Sequence, residues 1–326
     1  MWFGYAVSAA CLIYVLHGFD TKRAIQLLAD VSWWWVALGI ALDVASYVVQ
    51  ALRWKLLLAP FGRVKMRDAI RSVFAGLFAN LIFPLRPGEL LRSYLVSKSE
   101  DIGFVTVVGS VLVERLIDLV VTTAGLAVML LIVPAPARFR HAASALGIAT
   151  LALLGLFIAM ILYIELHFGG DPRRMSGAKR MPGKLMSALI GLHAMGTSPS
   201  FYPAVFTSLL IPFCQALALW ALMKSYGMGL PFLAVVVVLL VINLGVSLPN
   251  APANVGSYQF FCVLGLSIFE VEKTTAAAFS FLAWFMLALL PFLFLGFYAV
   301  IRSGLSMRSM REQMSRLPSE ARATQT

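Results

Sequence analysis

Cysteine is scarce: Cys11, Cys214 and Cys262 are the only three among 326 residues. Each lies inside an apolar segment with no paired spacing, which excludes a disulfide framework and a zinc site. Charge is scarce as well, at 13% Asp, Glu, Lys and Arg. With 60% hydrophobic residues and a mean hydropathy of +0.87, this excludes the soluble globular class. The four histidines, His17, His141, His167 and His193, show no ligand spacing, and no Gly-x₄-Gly-Lys-Ser/Thr run exists. Hydrolysis of ATP by that route is therefore excluded, and no cofactor or metal is expected.

What the chain has is long apolar runs, at 2–17, 33–52, 104–133, 143–165, 201–224 and 276–301. All but the first approach or exceed the roughly 20 residues that cross a bilayer as helix. The N-terminal run lacks a basic start and a small-residue cleavage site, so it reads as a retained first helix and not a signal peptide. Residues 1–326 are expected to form one integral membrane domain, with 302–326 a basic tail on the anionic cytoplasmic leaflet. In a soluble protein, 26 Lys and Arg against 15 Asp and Glu would invite nucleic acid; in this chain they record topology, and no nucleic-acid partner is expected. Trp33, Trp34 and Trp35 open the second span as an interfacial aromatic belt.

Two further stretches, 69–97 and 231–270, are apolar but interrupted. Each carries an Asn, a Pro-x₂-Pro kink and a Gly-containing helix start: Pro84-Leu-Arg86-Pro87-Gly88-Glu89 in the first, Pro249-Asn-Ala-Pro252-Ala-Asn254-Val-Gly256-Ser257-Tyr258-Gln259 in the second. Irregular backbone survives at membrane depth only when buried in protein or lining a wet cavity. Basic residues cluster at 53–71, 173–184 and 302–322, and the positive-inside rule places all three in the cytoplasm, with both termini. The first break must then dip in and return. Three full crossings separate it from the second, so the second enters from the opposite side. The expected architecture is an all-α polytopic membrane helix bundle with two inverted broken or re-entrant helical elements, the second, at 231–249 and 254–270, long enough for both halves to span; this is the signature of a transport site between repeats.

The chemistry gathers at the first break. A helix beginning near Gly88, with Glu89 in its first turn and Arg86 and Arg92 beside it, turns unsatisfied N–H groups and a positive dipole end toward a cavity, a geometry that holds a phosphate. The bland alternative is a pair of Pro/Gly kinks with snorkelling arginines. Glu114, Arg115 and Asp118 lie within the 104–133 run, with Glu114 about 15 Å from its start. Charges at that depth must be paired or wet. Glu114 and Asp118 share a face, and Arg115 reaches Asp118 or Glu89; Arg86, Glu89 and Arg115 are expected to meet in one buried site, unless the charges form only a structural clamp. Asp43, with Ser46, Tyr47 and Gln50 at near-helical spacing, is a candidate proton carrier or a satisfied interhelical hydrogen bond. Asn254, Gly256, Tyr258 and Gln259 complete the expected substrate-binding set.

Taken together, Arg86-Pro-Gly-Glu89-Leu-Leu-Arg92, Val113-Glu-Arg-Leu-Ile-Asp118, Pro252-Ala-Asn-Val-Gly256-Ser-Tyr-Gln259 and Arg53-Trp-Lys-Leu-Leu-Leu58 resemble the flippase-like transmembrane region of lysylphosphatidylglycerol synthases. The resemblance covers nearly the whole chain. It implies a flippase-like membrane architecture, here stand-alone, since the chain stops at Thr326 without the soluble aminoacyl-transfer domain of the full-length enzymes. Gln259 stands where that family usually has a carboxylate. The function expected is translocation of a phospholipid or polyprenyl-phosphate-linked lipid between leaflets of the cell (inner) membrane. The alternatives are a glycosyltransferase-type enzyme acting on a lipid phosphate, against which the lack of an Asp-x-Asp motif speaks, and a non-catalytic subunit that recruits a lipid-modifying enzyme partner.

Overall fold

The computed structural model describes residues 2–83, 87–133, 194–247 and 250–304, with scattered helical positions between 141 and 162. Arg86, the basic stretch 166–193 and the tail from 305 onward lie outside the described residues, together with the expectations attached to them. Every regular element among the described residues is helical, so the protein is an all-α membrane helical protein. In chain order these are α1 (Trp2–Leu16), α2 (Thr21–Ala29), α3 (Trp33–Leu58), α4 (Met66–Ile82), α5 (Gly88–Glu100), α6 (Phe104–Ile132), α7 (Phe201–Ser225), α8 (Phe232–Ser247), α9 (Ser257–Ser267), α10 (Lys273–Ala283) and α11 (Leu290–Arg302). A π-helical stretch, Trp284–Leu289, joins α10 to α11. Trp33–Leu58, Phe201–Ser225 and Lys273–Arg302 are each long and apolar enough to cross a membrane.

The element that the hydropathy pattern does not announce is α2. It is nine residues long, too short to span, and it forms because the Asp20 carboxylate accepts the Arg23 amide at 3.1 Å as an N-cap. Ala24 then buries against the core.

Small residues decide how closely the long helices approach. α3 lies along α7 with Gly39 at the crossing, where a Cβ would stand 3.1 Å from the Ala218 carbonyl oxygen. With no hydrophobic gain between helices in lipid, such close packing carries the association. The largest core joins α7, α8, α9 and α10 through Leu219, Leu222, Val235, Val238, Leu266 and Phe279. A second core surrounds Trp54, Leu58, Val73, Val96 and Val107.

In the first break, α4 and α5 fold back on each other as a hairpin. Gly76 and Gly88 meet backbone to backbone: a Cβ on Gly88 would fall 1.9 Å from the Gly76 carbonyl oxygen. Asn80 secures the turn by accepting the Gly88 amide at 2.8 Å. The two helices rise about 25 Å and 20 Å at 1.5 Å per residue, less than the roughly 30 Å hydrocarbon core.

The second break repeats this device with different atoms. Asn250 donates to the Val246 carbonyl at 3.1 Å and accepts from the Ser257 hydroxyl at 2.8 Å, tying the end of α8 to the start of α9. Between them runs a 3₁₀ turn, Pro252–Asn254. The rest of the bundle satisfies this backbone: Ser8 on α1 accepts the Ala251 amide at 3.0 Å, and the Trp284 indole donates to the Ala253 carbonyl at 2.8 Å. Gly256 has φ +82°, and a side chain there would strike the Ser8 carbonyl at 2.2 Å.

The two breaks are neighbours, since the 3₁₀ turn packs against α4. α4 runs antiparallel to α11, with Arg71 sharing a cleft with Arg302 and Phe78 packing on Phe297 at 5.9 Å. That register leads the C-terminal end of α4 toward Trp284, which holds the turn. The bundle also has two polar ends. One carries Arg23, Glu272 and Lys273, linked by a 3.8 Å Arg23–Glu272 ion pair and a bond from Lys273 to the His17 carbonyl. The other gathers the start of α4 and the ends of α5 and α11, with Arg71, Lys98 and Arg302.

Candidate functional site

An ion-pair cluster joins α3, α5, α6 and α7 in the interior. Glu114, fully buried on α6, stands at its centre. One carboxylate oxygen accepts from Arg53 Nη2 at 3.2 Å and the other from Arg92 Nη2 at 2.5 Å. Arg53, itself 1% exposed, also ion-pairs with Asp118 through Nη1 and donates to the Ser208 hydroxyl on α7 at 3.3 Å. Arg92 lies over the Trp54 ring, 4.7 Å from its centroid, and Trp54 donates to Ser110 at 2.9 Å. Two guanidinium groups are thus held flat and dry, one against an aromatic face and both against a shared carboxylate.

The outer half of the cluster is wetter. Arg115 Nη2 meets Glu89 at 2.6 Å and Arg115 Nη1 meets Asp118 at 3.6 Å, yet the Arg115 side chain is 44% exposed and that of Glu89 29%. The expectation of one buried site uniting Arg86, Glu89 and Arg115 is therefore corrected in part: Glu89 and Arg115 do meet, but at a half-solvated edge, and Arg86 lies outside the described residues. The buried role belongs to Arg53 and Arg92. Arg53, read from sequence as one of the cytoplasmic topology charges, is an interior ion-pair partner.

Beside this cluster a narrow cleft opens, with about 20 Å³ of free volume, lined by Gln50, Gly76, Asn80, Gly88, Glu89, Arg92 and Arg115, with Val73 and Leu77. Arg92 presents a buried Nε that makes no hydrogen bond. The cleft therefore holds the start of α5, a dry guanidinium with a donor to spare, and an arginine at its mouth.

The remaining sequence-selected residues lie elsewhere. Asn254 sits in the 3₁₀ turn at φ +55°, and Gly256 donates its amide to Gln259 Oε1 at 2.7 Å. Gln259 is fully buried with its Nε2 unpartnered. None of Asn254, Gly256, Tyr258 and Gln259 lines the cleft; Asn254, Gly256 and Gln259 hold the second break, and Tyr258 packs against the largest core. Asp43 is buried on α3 with Oδ2 unbonded, close enough for its charge to act on Tyr258 of α9. Among the described residues no group of three His, Cys, Asp or Glu side chains could hold a metal ion.

Sequence reasoning gave no site role to Arg53, Ser208 or Asn250, and noted Asn80 as a mark of the first break without the bond it makes. Only Arg53 had a readable signal. The polar stripe Asp43, Ser46, Tyr47, Gln50 continues one helical turn further to Arg53. Asn80 and Asn250 reveal their roles only through backbone groups that the breaks leave open.

These features define an α-helical integral membrane protein with a charged, partly dry site between its helices. The chain belongs to the family of the lysylphosphatidylglycerol synthase transmembrane region, whose model matches residues 1–300. It is 24% identical to a UPF0104 membrane protein of Methanocaldococcus jannaschii and 22% identical to one of Methanothermobacter thermautotrophicus, each over 90% of this chain and 92% of the relative. It is also 29% identical to the glycosyltransferase AglD of Haloferax volcanii, over 40% of this chain but 21% of that protein.

Proposed function

We propose that the protein is a lipid translocator that binds the phosphate of a phospholipid or polyprenyl-phosphate lipid in the cleft between α4, α5 and α6 and carries it between leaflets. The observation that carries this reading is Arg92, which lines a cleft at the start of α5 and keeps a buried, unbonded Nε. Oriented N–H groups, a helix dipole and a guanidinium favour an anion there. In this reading the cleft widens to take the head-group phosphate while the acyl chains stay in the membrane. Arg115 is the entry ligand: its bond to half-exposed Glu89 is the cheapest of the cluster to exchange for a phosphate oxygen.

In this reading the α4–α5 hairpin is re-entrant from the cytoplasmic side and both termini face the cytoplasm. A cysteine replacing exposed Ser99 is then labelled by an impermeant thiol reagent only in inverted vesicles, and one replacing Lys22 only in intact cells. Labelling of both from the same face would overturn the orientation.

Three arginines and three carboxylates balance in the cluster, so an arriving phosphate leaves an excess negative charge in a region of low dielectric. Uptake of a proton offsets it, and Asp43, buried on α3 with Oδ2 unbonded, is the proposed carrier. Purified protein in liposomes is expected to move a fluorescent anionic lipid between leaflets. Arg92→Gln should slow this about tenfold or more, the order set by loss of one charge-assisted bond worth roughly 1.5–3 kcal/mol. Asp43→Asn should leave exchange at equal pH intact but abolish acceleration by a pH gradient. Equal rates in protein-containing and empty vesicles would defeat the translocator reading.

A transferase acting on a lipid phosphate is the second reading, favoured by the name of AglD, although this chain spans only 21% of that protein. It requires a chemically altered lipid, whereas translocation returns the lipid unchanged.

A further inference from the structure

A second and wider cleft, of about 300 Å³, lies at the end of the bundle where α4 begins and α5 and α11 finish. Arg71, Lys98 and Arg302 line it, and Asp68 is the one acid among its lining residues. Asp68 offsets only Arg71, at 3.6 Å. The cleft therefore keeps an excess of positive charge contributed by three separate helices, and Tyr94 adds a phenolic hydroxyl to its wall. Like charges brought together at a helix-bundle end cost free energy unless a counter-ion joins them.

The surroundings indicate what kind of anion fits. Arg302 donates from Nε to the Tyr298 hydroxyl at 3.1 Å, and among the described residues its two terminal nitrogens keep no hydrogen-bond acceptor. Below it, α11 turns outward an apolar face of Phe294, Phe297 and Ile301, exposed by 66%, 49% and 57%. In a membrane protein such a face meets acyl chains. A cationic cleft directly above a lipid-facing stripe matches an amphipathic ligand, with its phosphate in the cleft and its chains along α11.

We propose that this cleft is an interfacial binding site for the phosphate of an anionic lipid, separate from the inner cleft beside Arg92. It shares no lining residue with that cleft, and it stands whether or not the inner site carries a lipid across.

The test uses the full chain in nanodiscs of mixed phosphatidylglycerol and phosphatidylcholine, with retained lipids counted by native mass spectrometry after release. Wild type is expected to keep phosphatidylglycerol in preference to phosphatidylcholine, less so as salt rises. The triple variant R71Q/K98Q/R302Q should hold phosphatidylglycerol about tenfold less strongly, as each cation near an anionic head group contributes. R63Q/R67Q removes two cations that do not line the cleft and should retain lipid as wild type does. If the triple variant fails to fold, R302Q alone, at an exposed helix end, provides the same readout with a smaller decrease. Unchanged retention in the charge-depleted variants overturns the proposal, as does an equal loss in R63Q/R67Q, which would indicate general surface charge. A parallel titration with inorganic phosphate separates the sources. Displacement of phosphatidylglycerol by phosphate at low millimolar concentration would assign the cleft to a soluble phosphate and overturn the lipid assignment.

Discussion

Glu114→Ala is expected to cost about 3–5 kcal/mol of unfolding free energy, because it strands two buried guanidinium groups. Arg53 and Arg92 both meet Glu114 where side-chain exposure is 4% or less. Arg53 keeps Asp118 and Ser208, but Arg92 keeps only the Trp54 face. Pairing Glu114→Gln with Arg92→Leu leaves Arg53 on Asp118 and Arg115 on Glu89, so the double variant should be more stable than Glu114→Ala alone. Arg115→Ala, at the half-exposed edge, should cost about 1 kcal/mol or less. Thermal and denaturant unfolding in one detergent would rank the variants. A Glu114→Ala protein no less stable than Arg115→Ala would mean that water reaches the pair.

Gly88→Ala should be nearly as damaging, for a steric reason. The added methyl would lie 1.9 Å from the Gly76 carbonyl oxygen and 2.7 Å from Asn80 Oδ1. Backbone cannot rotate aside as a side chain can, so α4 and α5 must separate. Overpacking of this kind costs roughly 1–3 kcal/mol or more. Separation also withdraws Arg92 from Glu114 and opens the cleft, so lipid movement in liposomes should fall together with stability. Gly155→Ala, where no described residue stands within 4 Å of the new methyl, is the matched control. A Gly88→Ala protein with wild-type melting would show that the hairpin does not need its glycine contact.

Both effects depend on residues that the sequence makes visible to different degrees. Glu114, Arg115 and Asp118 stand out because charge within a long apolar run is expensive. Gly88 stands out because it follows Pro84-x₂-Pro87 inside another apolar run. Arg53 is hidden by its position near the end of α3, where a loop charge and an interior charge read alike. Its partners, Glu114 and Asp118, lie 61 and 65 residues away, and no local pattern records such a pairing. Arg115 illustrates the converse: its spacing predicts a buried partner for Glu89, and the pairing exists, but its burial depends on which helices cover α6.

The sequence by itself determined the solvent, the helical class, the positions of the two breaks and the family, since all four follow from local hydropathy, Pro/Gly chemistry and short motifs read along one chain. The tertiary structure decided which charges are dry, which atoms close the breaks and where the clefts open. Those outcomes depend on helices meeting side by side: Ser8 of α1 closes a turn at Ala251, Trp54 of α3 lies beneath Arg92 of α5, and Arg302 comes to the cleft of Arg71 and Lys98. Hydrogen bonds and ion pairs are satisfied in space, and only packing specifies which distant residue supplies the partner.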